Sequence, residues 1–273
     1  MSDVATKTAP SRALQWAAIG LASTVWISAG IFGVYILIFF GGALLDGNVE
    51  RWNTSLPGLY SPETLGATAA IGAHFVAGGI ILMLGPLQLI EGLRRKAPAF
   101  HRWTGRLYVL TSLTAGIGGC LFIVLKGTIG GLPMDVGFGL YGILMVLAAV
   151  QTVRHARARR FERHRLWALR LYALAIGSWL YRMEYGFWFL LFGGAGHTNT
   201  FDGPLDIVMA FFFYIPNLIV ADVLFHTRRR TVGKGVQRLI TVILLAATAF
   251  VVLATFEFTR QAWAPAILRS LAE

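Results

Sequence analysis

A single cysteine, Cys120, stands among 273 residues, and only 13 side chains are acidic. One thiol excludes a disulfide framework and a thiolate metal motif. Charged residues of either sign make up just 14% of the chain. No paired carboxylates, Gly-rich phosphate loop or Ser-His-Asp spacing occurs, so soluble-type hydrolysis and phosphoryl transfer lack support. Long polar linkers and low-complexity stretches are missing too, which leaves little chain for a soluble domain.

What fills the chain is apolar: 56% of residues are hydrophobic and mean hydropathy is +0.64, more than a soluble domain hides. A bilayer core takes about 20 apolar residues per helix. The sequence therefore predicts an all-α integral membrane protein, a single transmembrane domain over 1–273 with seven transmembrane helices. They fall at roughly 13–40, 67–90, 103–126, 135–153, 166–192, 205–225 and 237–258. The first apolar run, 28 residues long, exceeds the roughly 7–15 of a signal peptide and reads as a true span.

Positive charge alternates along the chain. Residues 1–14, 91–106, 154–170 and 227–238 hold 19 of the 24 Lys and Arg, which predicts a cytoplasmic N-terminus and an external C-terminus. The net charge of +11 then points to anionic lipid headgroups at the cytoplasmic face, not to nucleic acid. The longest connection, 41–66, carries Trp52, Pro57 and Tyr60 and suits a compact loop at the outer interface.

An internal repeat organises the middle of the chain. Overlaying 88–102 on 151–165 pairs Gln88 with Gln151, Arg94 with Arg157, His101 with His164, and Arg102 with Arg165. One inserted residue then aligns Trp103, Arg106, Leu107, Tyr108 and Leu110 with Trp167, Arg170, Leu171, Tyr172 and Leu174. Helices 2–5 thus read as two copies of one hairpin, a pseudo-two-fold four-helix core of the parallel-repeat type. Two imidazoles opposed across such a core are what a six-coordinate haem iron needs. His101 and His164 are the candidate ligands, with haem b between helices 3 and 5 near the cytoplasmic face. Small residues one turn on, such as Gly105 with Tyr108 beside it, let a flat ring approach. Arg102, Arg106, Arg165 and Arg170 are candidate propionate partners. A competing reading makes the same His, Arg and Trp residues lipid-interface anchors of a non-catalytic subunit or small-molecule transporter.

Other polar residues fall inside apolar runs. His74 lies within helix 2, sharing a face with Gly78, Gly85 and Gln88; it is a possible further metal ligand, or a hydrogen-bonded packing histidine. Arg182 and Glu184 enter helix 5 two residues apart, so they point to different faces and each needs another partner. With His74 and Tyr185 they make a possible quinone or proton site; structural pairing between helices is the alternative. In helix 6, Pro216 predicts a kink that Asn217 mends, and Asp222 is expected to be buried near its inner half. His155 and His226 end helices among arginines and read as solvated.

His74, "GPLQLI" (85–90), the run from Arg94 to Tyr108 and "HRLWALR" (164–170) together resemble the bacterial multi-pass family known as domain of unknown function 2306. The resemblance covers helices 2–5 and implies an integral membrane protein, in a bacterium that of the plasma (inner) membrane. Weaker is the likeness to the ascorbate-reducible dihaem cytochromes b, carried by His101 and His164; helix 4 lacks the histidine that would face His74. The leading reading is then a possible membrane oxidoreductase, a b-type haem protein that moves electrons between a membrane quinol or cytoplasmic donor and an acceptor, with a redox partner.

Overall fold

Without water to bond to, a backbone inside a bilayer is satisfied only by helices or closed barrels. A computed structural model describes residues 9–227 and 232–272, and among them every regular element is helical. Ten principal helices follow: α1 Arg12–Ile36, α2 Leu65–Leu89, α3 Pro98–Lys126, α4 Gly131–Arg157, α5 Phe161–Ala175, α6 Gly177–Phe192, α7 Pro204–Phe212, α8 Ile215–Thr227, α9 Lys234–Phe258 and α10 Ala264–Ala272. Among the described residues six continuous stretches have the length and apolarity to cross a membrane: Arg12–Leu45, Pro62–Leu89, Pro98–Lys126, Gly131–Arg157, Pro204–Thr227 and Lys234–Ala272. The protein is an integral membrane protein, and in a bacterium helical spans of this kind reside in the inner membrane.

Several boundaries differ from the sequence reading, each for a visible reason. The helix expected over 166–192 is interrupted at Ile176, giving α5 and α6, neither of membrane length alone. The rings of Tyr141 and Phe213 take the space beside Gly177, where a Cβ would lie 3.1 and 3.2 Å from them. Tyr141 also donates to the Leu174 carbonyl at 2.7 Å, replacing a helical donor. The expected 205–225 helix breaks at Phe213–Tyr214. Pro216 brings no N–H and its ring clashes with the carbonyl four residues back, that of Phe212; the Asn217 amide, expected to mend the freed group, donates instead to the neighbouring Phe213 carbonyl at 2.6 Å. At α3, Pro98 starts the helix early, since proline suits the first helical turn, so His101 already lies within it. The last stretch runs on from 258 through a π-helical turn, Thr259–Trp263, into α10.

Packing follows the chain: α2 lies along α3, α3 along α4, α4 along α5, and α5 returns to touch α2. Helix α1 packs on α2 and α9, α7 on α4, and α8 on α5. Small residues set the closest approaches, as bundles in lipid use them. A Cβ on Gly116 would lie 3.0 Å from the Gly142 carbonyl, and one on Gly33 2.9 Å from that of Gly79. The loop after α1 is anchored as expected: Trp52 is fully buried and donates its indole N–H to the Phe40 carbonyl at 3.1 Å.

Candidate functional site: a histidine cluster and a buried arginine

The duplicated residues keep equivalent surroundings at the arginine-rich end. Arg106 stacks on Trp103, 4.7 Å from the ring centroid, and Arg170 on Trp167 at 4.6 Å. Both pairs are three residues apart, neighbours on one helix face. Tyr108 and Tyr172 converge on Gly85, whose missing Cβ would lie 3.3 and 3.1 Å from their rings. The Tyr108 hydroxyl is buried without a partner.

His101 and His164 come from α3 and α5, helices separated by α4 on one side and α2 on the other. His164 lies within electrostatic reach of His101 and of His155. Its Nδ1 is 3.0 Å from the Thr152 carbonyl. A carbonyl only accepts, so Nδ1 carries a proton, and in the neutral ring Nε2 has the lone pair. The Nδ1 of His101, Nδ1 of His155 and Oε1 of Gln151 are all buried without a hydrogen-bond partner among the described residues. His155, expected to be solvated, is 7% exposed: α4 continues to Arg157 and turns this residue inward. His226 is exposed, as expected. No three His, Cys, Asp or Glu side chains among the described residues are arranged to hold a metal ion together.

The candidate propionate partners divide. Arg170 is held by Asp222 of α8 in a bidentate pair, Nε to Oδ1 at 2.8 Å and Nη2 to Oδ2 at 2.7 Å. Arg102 and Arg106 are exposed, and Arg165, 45% exposed, lies 4.0 Å from Glu162. The space beside Gly105 is taken by Gln88, whose Oε1 would be 3.0 Å from a Cβ there; the Gln88 amide donates to the Thr104 hydroxyl at 2.8 Å.

Deeper in the bundle, His74 places Nδ1 2.7 Å from the Ala115 carbonyl and rests against Gly118 and Gly119. Its Nε2 therefore keeps a lone pair as well. One turn on, a Cβ at Gly78 would meet nothing within 4 Å, although Gly85, on the same face, is packed against rings. Arg182 of α6 lies within electrostatic reach of His74, Tyr35, Tyr141 and Tyr181. Its Nη1 donates to the Ser178 carbonyl at 2.9 Å, and its guanidinium sits 4.7 Å over the Phe32 ring. It forms no ion pair with a carboxylate among the described residues. Glu184 points elsewhere, with Oε2 buried and unpartnered; the two do not pair with each other.

Tyr185 belongs to a network toward the end opposite the arginines. Its hydroxyl donates to Asp206 Oδ1 at 2.6 Å and receives a contact from the Tyr181 hydroxyl at 3.3 Å. His197 Nδ1 lies 2.7 Å from the same Oδ1, while the Thr198 and Gly203 N–H groups donate to Oδ2 at 3.0 Å. Asp206 is 2% exposed. Sequence reasoning missed both His197 and Asp206. The signal available was Gly203-Pro204-x-Asp206, a helix start with an acid at the third position; it marks a cap but not the tyrosine and histidine that share it. In the connecting loop, hydroxyls of Thr198 and Thr200 hold the exposed Asp202 carboxyl below the usual carboxylate range.

No match was found among curated proteins or among solved structures. A family model does match, over residues 71–225, from within α2 to within α8. Both histidine positions, the buried arginine and the Asp206 network lie within those bounds, and the chain belongs to the family described as "Predicted membrane protein (DUF2306)".

Proposed function

We propose that α2–α5 form a pseudo-two-fold four-helix core, and that α5 and α6 together make one interrupted span, so that seven cross the bilayer. The arginine-rich end then faces the cytoplasm. In this core one b-type haem is held between His101 and His164, and the protein carries electrons between a membrane quinol or cytoplasmic donor and an acceptor. The observation that carries the reading is the state of the two duplicated imidazoles. His164 has its Nδ1–H on a backbone carbonyl, the outer bond that fixes metal-binding histidines with Nε2 free. Its counterpart His101, on the diagonal helix, has a buried Nδ1 with nothing to bond. A buried orphan of this kind calls for a functional account.

The donor set fits the group in kind: two imidazoles suit a six-coordinate iron that transfers electrons without an open position for oxygen. When bound, the haem supplies one-electron transfer at its iron. The chain's own contribution is to fix the His164 tautomer through Thr152, wall the core with Tyr108 and Tyr172, and offer the guanidinium groups of Arg102 and Arg165 to carboxylates at the interface. Arg106 and Arg170 hold the helix ends by stacking on Trp103 and Trp167.

The absorption spectrum of the detergent-purified protein tests this. A Soret band that is lost in His101→Ala or His164→Ala supports haem; colourless protein of full helicity supports interface anchoring in a non-catalytic subunit or transporter.

A second site in the same core is favoured by the placement of Arg182. A cation at membrane depth, without a carboxylate partner among the described residues and within electrostatic reach of His74, suits a quinol, one oxygen accepting from Arg182 and one hydroxyl donating to the imidazole of His74. Unchanged electron transfer in Arg182→Ala and Glu184→Ala, at unchanged fold, removes this site.

A further inference from the structure

A cavity of about 660 Å³ opens between the first turns of α1 and α9, away from both regions above. Ser11, Lys234, Gln237, Arg238 and Thr241 give its polar lining, and Ala13 and Val242 part of the apolar one. Lys234 and Arg238 are four residues apart, so they present two cations on one face. Neither forms an ion pair among the described residues, and no acid lines the space.

Its walls are held in place by a buried clasp. Gln237, 3% exposed, accepts from the Ser11 N–H at 2.7 Å and donates to the carbonyls of Ala9 at 3.2 Å and Val232 at 3.1 Å. The two helix starts are thereby fixed side by side. The first N–H groups of a helix have no intrahelical acceptor, and its N-terminal end is partially positive. Neither first turn carries an acid to offset that; α1 is capped by the Ser11 hydroxyl, which accepts from the Leu14 N–H at 3.2 Å, whereas Gly233 before α9 offers no capping side chain. Two side-chain cations and the uncapped start of α9 therefore border one concave space.

We infer that this cavity binds a phosphate group, and that the phosphate is that of an anionic lipid headgroup. Both helices run from here into membrane-length stretches, so the cavity lies at the boundary of water and lipid. Along α9 its lining passes from Lys234 and Arg238 to Val242, beside the exposed Leu239 and Ile243. A phosphodiester with acyl chains matches that sequence of charge then hydrocarbon; a free phosphate uses only the first part. The site is independent of the redox reading, and a colourless protein leaves it standing.

The test uses the full chain in detergent, with phosphatidylglycerol, phosphatidylcholine or inorganic phosphate as probe, read by native mass spectrometry and thermal unfolding. Phosphatidylglycerol is expected to be retained and to raise the unfolding temperature, and phosphatidylcholine is not. Lys234→Ala with Arg238→Gln weakens phosphatidylglycerol binding by about tenfold or more, whereas Arg157→Gln, in another basic stretch, leaves it as in the parent. Should the double variant lose helicity, Arg238→Glu alone carries the comparison with Arg238→Lys, which restores binding. Equal stabilisation by inorganic phosphate overturns the lipid assignment. Equal retention of phosphatidylcholine, or full retention by the charge-removing variants, overturns the site.

Discussion

Two clusters, one toward each end of the bundle, treat their buried polar atoms in opposite ways. Toward the 193–203 loop, Asp206 is nearly inaccessible and is met by Tyr185, His197 and two backbone N–H groups. Around His164, Nδ1 of His101, Nδ1 of His155 and Oε1 of Gln151 have no partner among the described residues. A saturated network rigidifies what it joins, here α6, α7 and the loop between them. An unsatisfied one costs stability and persists in a native structure for some other reason, a bound group among them. The difference separates a cluster built for stability from a cluster where function is to be sought.

The sharpest way to break that comparison is to empty the saturated end. Asp206→Ala leaves a tyrosine hydroxyl, an imidazole and two N–H groups without an acceptor, so a loss of about 3 kcal/mol or more is expected in denaturant unfolding of the detergent-solubilised protein. A loss below about 1 kcal/mol says that the network contributes nothing beyond packing. Tyr185→Phe removes one of the four donors and keeps the ring, and the expected loss is smaller, about 1–2 kcal/mol for a hydrogen bond to a charged group.

How much of this was legible in the sequence depends on the range of the interaction. Apolar runs, their spacing and the alternation of positive charge are local, and they gave the membrane class and most helix positions. The repeat was legible too, because Trp103–Arg106 and Trp167–Arg170 are i, i+3 pairs whose stacking needs only their own helix. The interruption at Ile176 was not. It is made by Tyr141 and Phe213, rings from α4 and from the turn after α7 that enter beside Gly177, and no pattern within 166–192 encodes their arrival. The Asp206 network escaped for the same reason, its partners lying 9 and 21 positions away. His155 was misjudged because arginines beside it in sequence suggested solvent, whereas the helix turn decides which face each residue takes.

Arg170 and Asp222 refine the comparison at the arginine-rich end. The two repeat copies share the tryptophan stack, but only the second has α8 packed against it, and with it a bidentate carboxylate. The pair is partly exposed, 25% for Arg170 and 38% for Asp222, so its contribution is modest. Asp222→Asn is expected to destabilise by about 1 kcal/mol, and Arg106→Gln, in the copy without a carboxylate, by less. Equal losses in thermal unfolding of the two variants remove the asymmetry between the copies.

The smallest effect is expected where the buried atoms already lack partners. His155→Leu removes an orphaned nitrogen, keeps most of the side-chain volume and leaves no new donor or acceptor stranded. Replacing an unpaired polar group by an apolar one of similar size is near neutral or stabilising, so the change in unfolding free energy should lie within about 1 kcal/mol of zero, in contrast to Asp206→Ala. A loss comparable to that of Asp206→Ala requires that His155 already has a partner in the membrane, which moves the functional reading from His101 and His164 alone to all three imidazoles. The same variant read by absorption spectroscopy separates the cases: a Soret band unchanged in His155→Leu keeps the ligands at His101 and His164, and a shifted one brings His155 into the set.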